Sequence, residues 1–366
     1  MEYNSKTIEF AKKLISFNTT NPPGNQTHCP EWIENLLKEH QIDTRIIEHD
    51  GTRNIIAELD FGPGKTLCIC GHWDVTHANE PEWESDPFKA IEKDGNIYGR
   101  GIADMKGSLA ATLSCVLNIK KHNPNITGKI LFIAFGDEET GSERGAKRII
   151  DDIADELDYI IIGEPTNMNP KIARRGTILL NLKVFNSEID ASDALHKIIN
   201  SLSEVNKVNM HYEEPEEFCS IKSKIINSEE IPRDTTPDQV ELSIDVRHMK
   251  LNTLDDILNK ISTSLDRLGA IYKIQATLVT QPYNTKEGKL LETAINSIIQ
   301  TTGRMPTVET NDASSDARFF AKKGLEIIEL GVNDSTIHMP NENCSIKELE
   351  NIEKIYYKLI TSLLGN

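Results

Sequence analysis

The sequence predicts an α/β protein built as one sheet domain interrupted by a smaller α+β domain. Three observations carry this reading. Short, wholly apolar runs such as Thr66–Cys70, Ile130–Phe135 and Tyr159–Ile162 recur with helical periodicity between them, as expected for strands covered on both faces. From Gly176 the pattern changes to alternation, with Ile178, Leu180, Leu182 and Val184 on one face. From about Lys286 the α/β character returns. A length of 366 residues suits two domains at roughly 150 residues each.

In chain order, Trp32, Ile33, Leu36 and Leu37 recur at helical spacing, and Ile46–Ile47 and Ile55–Ile56 read as strands. Gly62-Pro-Gly-Lys-Thr66 resembles a phosphate loop, but Leu59 stands where the first glycine belongs, so the segment reads as a turn. Asp104 precedes a long helix through Leu109, Leu113, Val116 and Leu117. A helix containing Ala146–Ile150 separates the next two buried strands, giving a sheet with helices on both faces. The interrupting segment reads as a strand to Val184, a helix over Ala194–Leu202, and strands around Phe218–Ile226 and Val240–Val246. A helix over Leu254–Leu265 and a strand over Ile271–Val279 complete it. That β-α-β-β-α-β order is ferredoxin-like. Helices over Leu290–Ile299 and Asp316–Lys323, a strand over Glu326–Leu330 and a last helix over Ile346–Leu364 follow. The expected boundaries are 1–173 with 281–366 for the sheet domain and 174–280 for the insertion.

Forty Lys and Arg against 57 Asp and Glu leave a formal net charge of -17. This balance argues against general nucleic-acid binding and against an anionic membrane surface, since both need clustered cations. With 38% apolar and 27% charged residues, the chain is neither fibrous nor disordered. No basic start with an apolar stretch follows Met1, and the six cysteines form no C-x-x-C pair. Cys68, Cys70 and Cys115 read as buried thiols, and the expectation is a reduced, cytoplasmic protein.

Ligands in open α/β sheets bind beyond the carboxyl ends of strands, so the residues after each strand matter most. Gly71-His72-Trp73-Asp74 follows the first buried strand, Gly136-Asp137-Glu138-Glu139 the second and Gly163-Glu164 the third. Gly331 and then His338 follow the last. Asp104 adds a carboxylate at a helix start. A single acid at a strand end is most often a turn or cap residue. Several brought to one edge would repel one another and raise each other's pKa, and cations remove that conflict. Two His with several carboxylates and no thiolate suit zinc or a similar ion. Of the adjacent Glu138 and Glu139, one can bind metal while the other takes a proton from water. His77 reads as a loop residue, and Trp83 with Pro87-Phe88 as loop packing over the site. His28, His40, His49, His122, His196, His211 and His248 have no acidic cluster at useful spacing and read mostly as surface.

Gly71-His-Trp-Asp-Val75, Trp83…Asp86-Pro-Phe88, Gly99-Arg-Gly-Ile-Ala-Asp-Met-Lys-Gly107, Asp137-Glu-Glu-Thr-Gly-Ser142 and Gly163-Glu-Pro-Thr166 occur in that order. Ala173-Arg-Arg-Gly176, Ser315-Asp-Ala-Arg-Phe319 and Thr336-Ile-His338…Asn341-Glu342 continue the set. Together they resemble the dinuclear-zinc metallopeptidase and deacylase family of acetylornithine deacetylase, succinyl-diaminopimelate desuccinylase and carboxypeptidase G. The desuccinylase/deacetylase branch is the most similar. The resemblance implies a zinc-peptidase-like three-layer α/β catalytic domain with an inserted ferredoxin-like lid or dimerisation domain. It implies two divalent metal ions, zinc or in its place cobalt. His72, Asp104 and Glu164 would hold one, and Asp104 would bridge to a second held by Glu139 and His338. Glu138 would be the general base and Asp74 would orient His72. Arg175, Arg247 and Ser314 match positions that meet substrate carboxylate or amide groups. The implied substrate is a small N-acyl amino acid, with succinyl or acetyl removed. A dipeptidase or carboxypeptidase on the same chemistry is the alternative, and a homodimer through the lid is the implied assembly.

The sequence departs from that family in the lid. After Leu182-Lys-Val-Phe-Asn186 the chain runs through Ser187-Glu-Ile-Asp190 directly to a helix, without the family's Gly-x-x-x-His loop. His196 lies inside that helix. The family's Asn before Val-x-Pro reads Asp234-Thr-Thr-Pro237. In that family the loop His would stabilise the developing oxyanion, and loss of one such donor costs roughly a hundred- to thousandfold in rate, so these departures also admit a metal-binding relative with weakened catalysis.

Overall fold

Parallel pairing of four apolar strands determines where the functional residues meet. The computed structural model describes residues 5–23, 28–78, 81–122, 125–185, 219–227, 239–248, 254–285, 287–311, 315–321 and 325–365. In chain order these form α1 (Thr7–Ile15), α2 (His28–Glu39), β1 (Asp43–His49), β2 (Thr52–Asp60), β3 (Thr66–His72), β4 (Ile91–Lys93) and β5 (Asn96–Tyr98). Next come α3 (Gly107–His122), β6 (Lys129–Phe135), α4 (Ala146–Ile153), β7 (Tyr159–Ile162), β8 (Lys171–Arg174), β9 (Gly176–Phe185), β10 (Cys219–Asn227) and β11 (Gln239–His248). The rest are α5 (Leu254–Arg267), β12 (Ile271–Thr280), β13 (Tyr283–Asn284), α6 (Lys289–Thr302), β14 (Glu309–Asn311), α7 (Ala317–Phe320), β15 (Glu326–Glu329), β16 (Asn343–Ser345) and α8 (Ile346–Leu363). The chain divides into two compact units. One comprises Met1–Ile172, Thr285–Glu309 and Ser315–Asn366, and the other Ala173–Asn284 with Thr310–Ser314.

In the first unit the strands run in the order β1-β2-β6-β3-β7-β15. β6, β3, β7 and β15 are mutually parallel, whereas β2 joins β6 antiparallel and β1 pairs antiparallel with β2. Side chains on one face, including Leu67, Ile69, Phe132, Ile161 and Ile328, pack into a core with α1, α2, α3, α6 and α8. Their neighbours on the other face, including Cys68, Cys70, Ile133, Ile160 and Ile162, are buried too. Burial on both faces is why these strands are continuously apolar. Each such Ile stabilises the fold by roughly 1.5–3 kcal/mol relative to exposure. Cys29, Cys68, Cys70, Cys115 and Cys344 are buried free thiols.

Gly62–Lys65 forms the turn between β2 and β3, as its sequence predicts. The regular helix α3 starts at Gly107, three residues after Asp104. Asp104 sits in a bend with extended backbone angles (φ -124°, ψ 96°), and its peptide to Met105 is cis. A small antiparallel sheet, β16-β5-β4, lies beside this bend. It leads into α8, which opens with a capping box between Ser345 and Glu348.

The second unit holds a four-stranded antiparallel sheet in the order β10-β11-β9-β12. That is the strand order of a ferredoxin-like domain. Ile178, Leu180, Leu182 and Val184 of β9 and Val240, Leu242, Ile244 and Val246 of β11 form its core with Ile261 and Leu265 of α5. Residues 186–218, which include the expected helix Ala194–Leu202, the segment Ser187–Asp190 and His196, lie outside the described residues, as do Asp234–Pro237. His248 departs from the expected surface set, being buried at the end of β11. No helix among the described residues is long and apolar enough to cross a membrane.

Candidate metal centre

Because the four central strands are parallel, their carboxyl ends share one edge, and the residues that follow them are brought together. Glycines there permit close packing beneath the site. A Cβ on Gly71 or Gly163 would stand 2.1 or 2.7 Å from Met105 Cε, and one on Gly136 would stand 2.5 Å from the Trp73 ring. The strand-end glycines thus admit the side chain that follows Asp104.

His72, at the end of β3, is 1% exposed. Its Nδ1 lies 3.0 Å from the main-chain oxygen of Asp74, and its Nε2 lies 3.2 Å from Asp104 Oδ1. The other oxygen of Asp104 lies 3.3 Å from His338 Nε2, which is itself 3.3 Å from Glu139 Oε2. One ligand atom each from His72, Asp104 and Glu139 fall within 4.8 Å of one another. Glu139 Oε1 is buried with no hydrogen-bond partner. A buried carboxylate oxygen without a donor is costly unless a cation meets it, so the donor set fits a hard or borderline divalent ion. Glu164 follows β7 at the same edge and is buried.

Electrostatics within the cluster follow from burial and crowding. Burial pushes the Glu138 carboxyl well above its ordinary value, and the charge of Glu164 adds to the effect. Burial also raises Glu139. Burial opposes the charge on Asp104 as well, but hydrogen bonds from His338 and His72 outweigh it and hold that carboxyl well below the usual range. His338, half exposed, is raised to about 10 by hydrogen bonds to Asp104 and Glu139. These two imidazolium–carboxylate contacts neutralise charges that cations would otherwise meet.

The Asp74 carboxylate also engages the turn after β6. Its Oδ1 accepts the amide of Glu138 and its Oδ2 that of Glu139, each at 3.2 Å, and Asn21 Nδ2 donates to Oδ2 at 3.0 Å. The carboxylate of Asp74 therefore holds the turn that carries both glutamates. The same turn is gripped from three further sides. Asp137 accepts from the Arg144 amide at 2.8 Å and from its Nε at 3.0 Å. Ser142 donates to the buried Asp316, and Arg318 Nη2 donates to the Gly141 oxygen at 3.2 Å.

The sequence pattern of peptidase family M20/M25/M40 matches residues 68–362. The chain belongs to that family. It is 30% identical over 380 aligned residues to the succinyl-diaminopimelate desuccinylase of Blochmanniella pennsylvanica (strain BPEN), covering 98% of each chain. It is 29% identical to the desuccinylase of Buchnera aphidicola subsp. Acyrthosiphon pisum (strain APS), again over 98% of each. Among solved structures, an M20 family metallo-carboxypeptidase from Sulfolobus solfataricus superposes with a TM-score of 0.76 at 19% identity, covering 99% of both chains. A dinuclear metal-binding M20 peptidase from Bacillus subtilis gives 0.74 at 16% identity, covering 98% of this chain and 97% of that one. The chain is accordingly an M20 hydrolase acting on amide bonds, with a mixed α/β catalytic fold.

Other predicted residues fall elsewhere. Arg175 joins β8 to β9, and Arg247 lies on β11, both in the second unit. The Arg247 fork is engaged by Asp245, with Nε 2.8 Å from Oδ1 and Nη2 2.9 Å from Oδ2. Ser314 lies outside the described residues. His77 is a loop residue whose main-chain oxygen accepts from Arg100, and the Arg100 guanidinium stacks 5.3 Å from the Trp83 ring. Sequence reasoning assigned no role to Asn21, Asp137, Arg100, Asp316 or Glu342. Several stand inside the family motifs quoted above, and their spacing does not reveal that they turn inward.

Proposed function

We propose that this M20 hydrolase is a dinuclear deacylase that removes succinyl or acetyl from a small amino-acid derivative such as N-succinyl-diaminopimelate or N-acetylornithine. The observation that carries this is the convergence of His72, Asp104, Glu139 and His338 at one strand edge, where Glu139 Oε1 is buried with no hydrogen-bond partner. The desuccinylase names of relatives near 30% identity over the whole chain favour the succinyl group.

Asp104 offers one oxygen toward His72 and the other toward His338, which suits a carboxylate shared by two ions. His72 and Glu164 would complete one ligand set, and Glu139 and His338 the other. With its Nδ1 held by the Asp74 oxygen, His72 directs Nε2 toward the centre. Two divalent ions held there, zinc or cobalt, would supply Lewis acidity for the amide carbonyl and would lower the pKa of water. Glu138, raised by burial and by Glu164, takes a proton from the attacking water and delivers it to the departing amine. Arg175, Arg247 and Ser314 meet the substrate's carboxylate or amide groups, and two copies of the chain pair through the second unit in the cytoplasm.

One sequence feature favours a second reading. The short Ser187–Asp190 connection carries no His, which suits a metal-binding relative with weakened catalysis. A panel of N-acyl amino acids and dipeptides, assayed on protein reloaded with zinc or cobalt, separates the readings. The expected result is turnover of N-succinyl-diaminopimelate that chelation removes and metal restores. Faster cleavage of dipeptides favours a peptidase, and no turnover on any compound favours the weakened relative.

A further inference from the structure

Glu342 is buried with its carboxylate against the bend that presents Asp104. Its Oε1 accepts the amides of Ala103 at 2.8 Å and Asp104 at 3.0 Å. Its Oε2 accepts the amide of Gly101 at 2.8 Å and Arg100 Nη1 at 3.0 Å. Three amides of one loop, those of Gly101, Ala103 and Asp104, and one guanidinium therefore converge on one side chain. Neither Asp104 nor Met105 has helical backbone angles, and one main-chain hydrogen bond, from the Lys106 amide to the Gly101 oxygen at 2.6 Å, spans the bend before Gly107. Glu342 also stands four residues after His338. Its own main-chain oxygen accepts the Gly99 amide at 3.0 Å, and Arg100 reaches the main-chain oxygen of Met339 at 3.4 Å. One buried ion pair thus ties the Asp104 bend to the turn bearing His338.

We propose that Glu342, paired with Arg100, is a positioning residue that fixes Asp104 and His338 relative to each other. This rests on the reading of those two residues as metal ligands. The physical argument is preorganisation: four hydrogen bonds to the Glu342 carboxylate fix the backbone from which Asp104 projects, so less conformational freedom is lost when an ion binds. A glutamine at 342 keeps the shape but puts an amino group against at least one of the donors that the carboxylate receives.

The experiment titrates Co(II) into the metal-free full-length protein, following the visible absorption band and the binding heat. Glu342→Gln is expected to weaken Co(II) binding by roughly 10–100-fold and to change the band, as is usual when a residue behind a metal ligand is altered. Glu342→Asp keeps the charge and is expected to fall between parent and Gln variant. Glu353→Gln is the matched control. That glutamate is equally buried, accepting from Thr7 at 2.7 Å and Ser114 at 2.5 Å, and its loss should lower the melting temperature without changing Co(II) affinity. If Glu342→Gln binds Co(II) as the parent does, or weakens it no more than Glu353→Gln, the proposal is overturned. If neither Glu342 variant folds with metal present, the residue serves the fold and not the centre, which also overturns it. If the parent itself binds no Co(II), it is the underlying metal reading that fails.

Discussion

Replacing Asp74 by Asn tests how the turn that carries Glu138 and Glu139 is held. Each oxygen of Asp74 accepts one amide of that turn, Glu138 at Oδ1 and Glu139 at Oδ2. Asn21 also donates to Oδ2, and His72 Nδ1 lies 3.5 Å from Oδ1. An asparagine has one acceptor and one donor, so whichever way it turns, its amino group faces a buried amide. Asn21 keeps other acceptors, Asp137 and Thr140, so its loss is tolerable. The glutamate amide does not. One unsatisfied buried donor costs about 1–3 kcal/mol, and replacing charge-assisted bonds by neutral ones adds about 1 kcal/mol. A displacement of the turn worth about 2–4 kcal/mol corresponds to a loss of roughly thirty- to a thousandfold in kcat/KM. The assay is deacylation by metal-saturated protein, read beside metal affinity and thermal unfolding. If Asp74→Asn stays within about threefold of the parent in rate and affinity while folding normally, the reasoning about this turn is wrong.

Three other outcomes are expected. Glu138→Gln should lower kcat by roughly 10²- to 10⁴-fold while metal content by elemental analysis stays at the parent value, and loss of metal from this variant would contradict its assignment as base. His338 in the metal-free protein is raised to about 10 by Asp104 and Glu139, so near neutrality it carries a proton that binding must displace. Metal affinity should therefore rise between pH 6 and 8, by about tenfold per pH unit for each proton released, and a flat profile in a competition titration would rule this out. For the metal-free fold the sign runs the other way: the contribution of His338 to stability is complete below its ordinary 6.5 and is lost as pH rises through about 10. Gly101 has φ of +88°, and a Cβ there would lie 2.6 Å from Val75 Cγ1 and 3.0 Å from Lys106 Cδ. Gly101→Ala should destabilise by about 2 kcal/mol in urea unfolding and weaken metal binding, and an unchanged midpoint would count against the bend described above.

Much of the centre is legible in the sequence because parallel strands align their carboxyl ends. Continuous apolar runs such as Thr66–Cys70 mark strands buried on both faces, and that alone sends His72, Glu138, Glu139 and Glu164 to one edge. The small residue after each run is legible too, and packing supplies its reason in Met105 and Trp73. What spacing does not disclose is which polar residues turn inward to hold these side chains. Asn21 lies far along the chain from Asp74 and Asp137, and Glu342 reaches a bend 238 residues before it through backbone amides, whose direction no side-chain pattern encodes. Asp74 is similarly read only in part. Its main-chain oxygen lies closer to His72 than its carboxylate does, which leaves the carboxylate to the turn. Strands β9 and β11 of the second unit are legible from their period of two, with Ile178, Leu180, Leu182 and Val184 turned to its core.

The central claim is that His72, Asp104, Glu139, Glu164 and His338 hold two divalent ions about a shared Asp104. Calorimetric titration of zinc into the metal-free protein, repeated on His338→Ala, tests it most directly. The account predicts two equivalents for the parent and the loss of one site in the variant, with the Asp104–His72 side still binding. A single site in the parent, or two unchanged sites in His338→Ala, would contradict it.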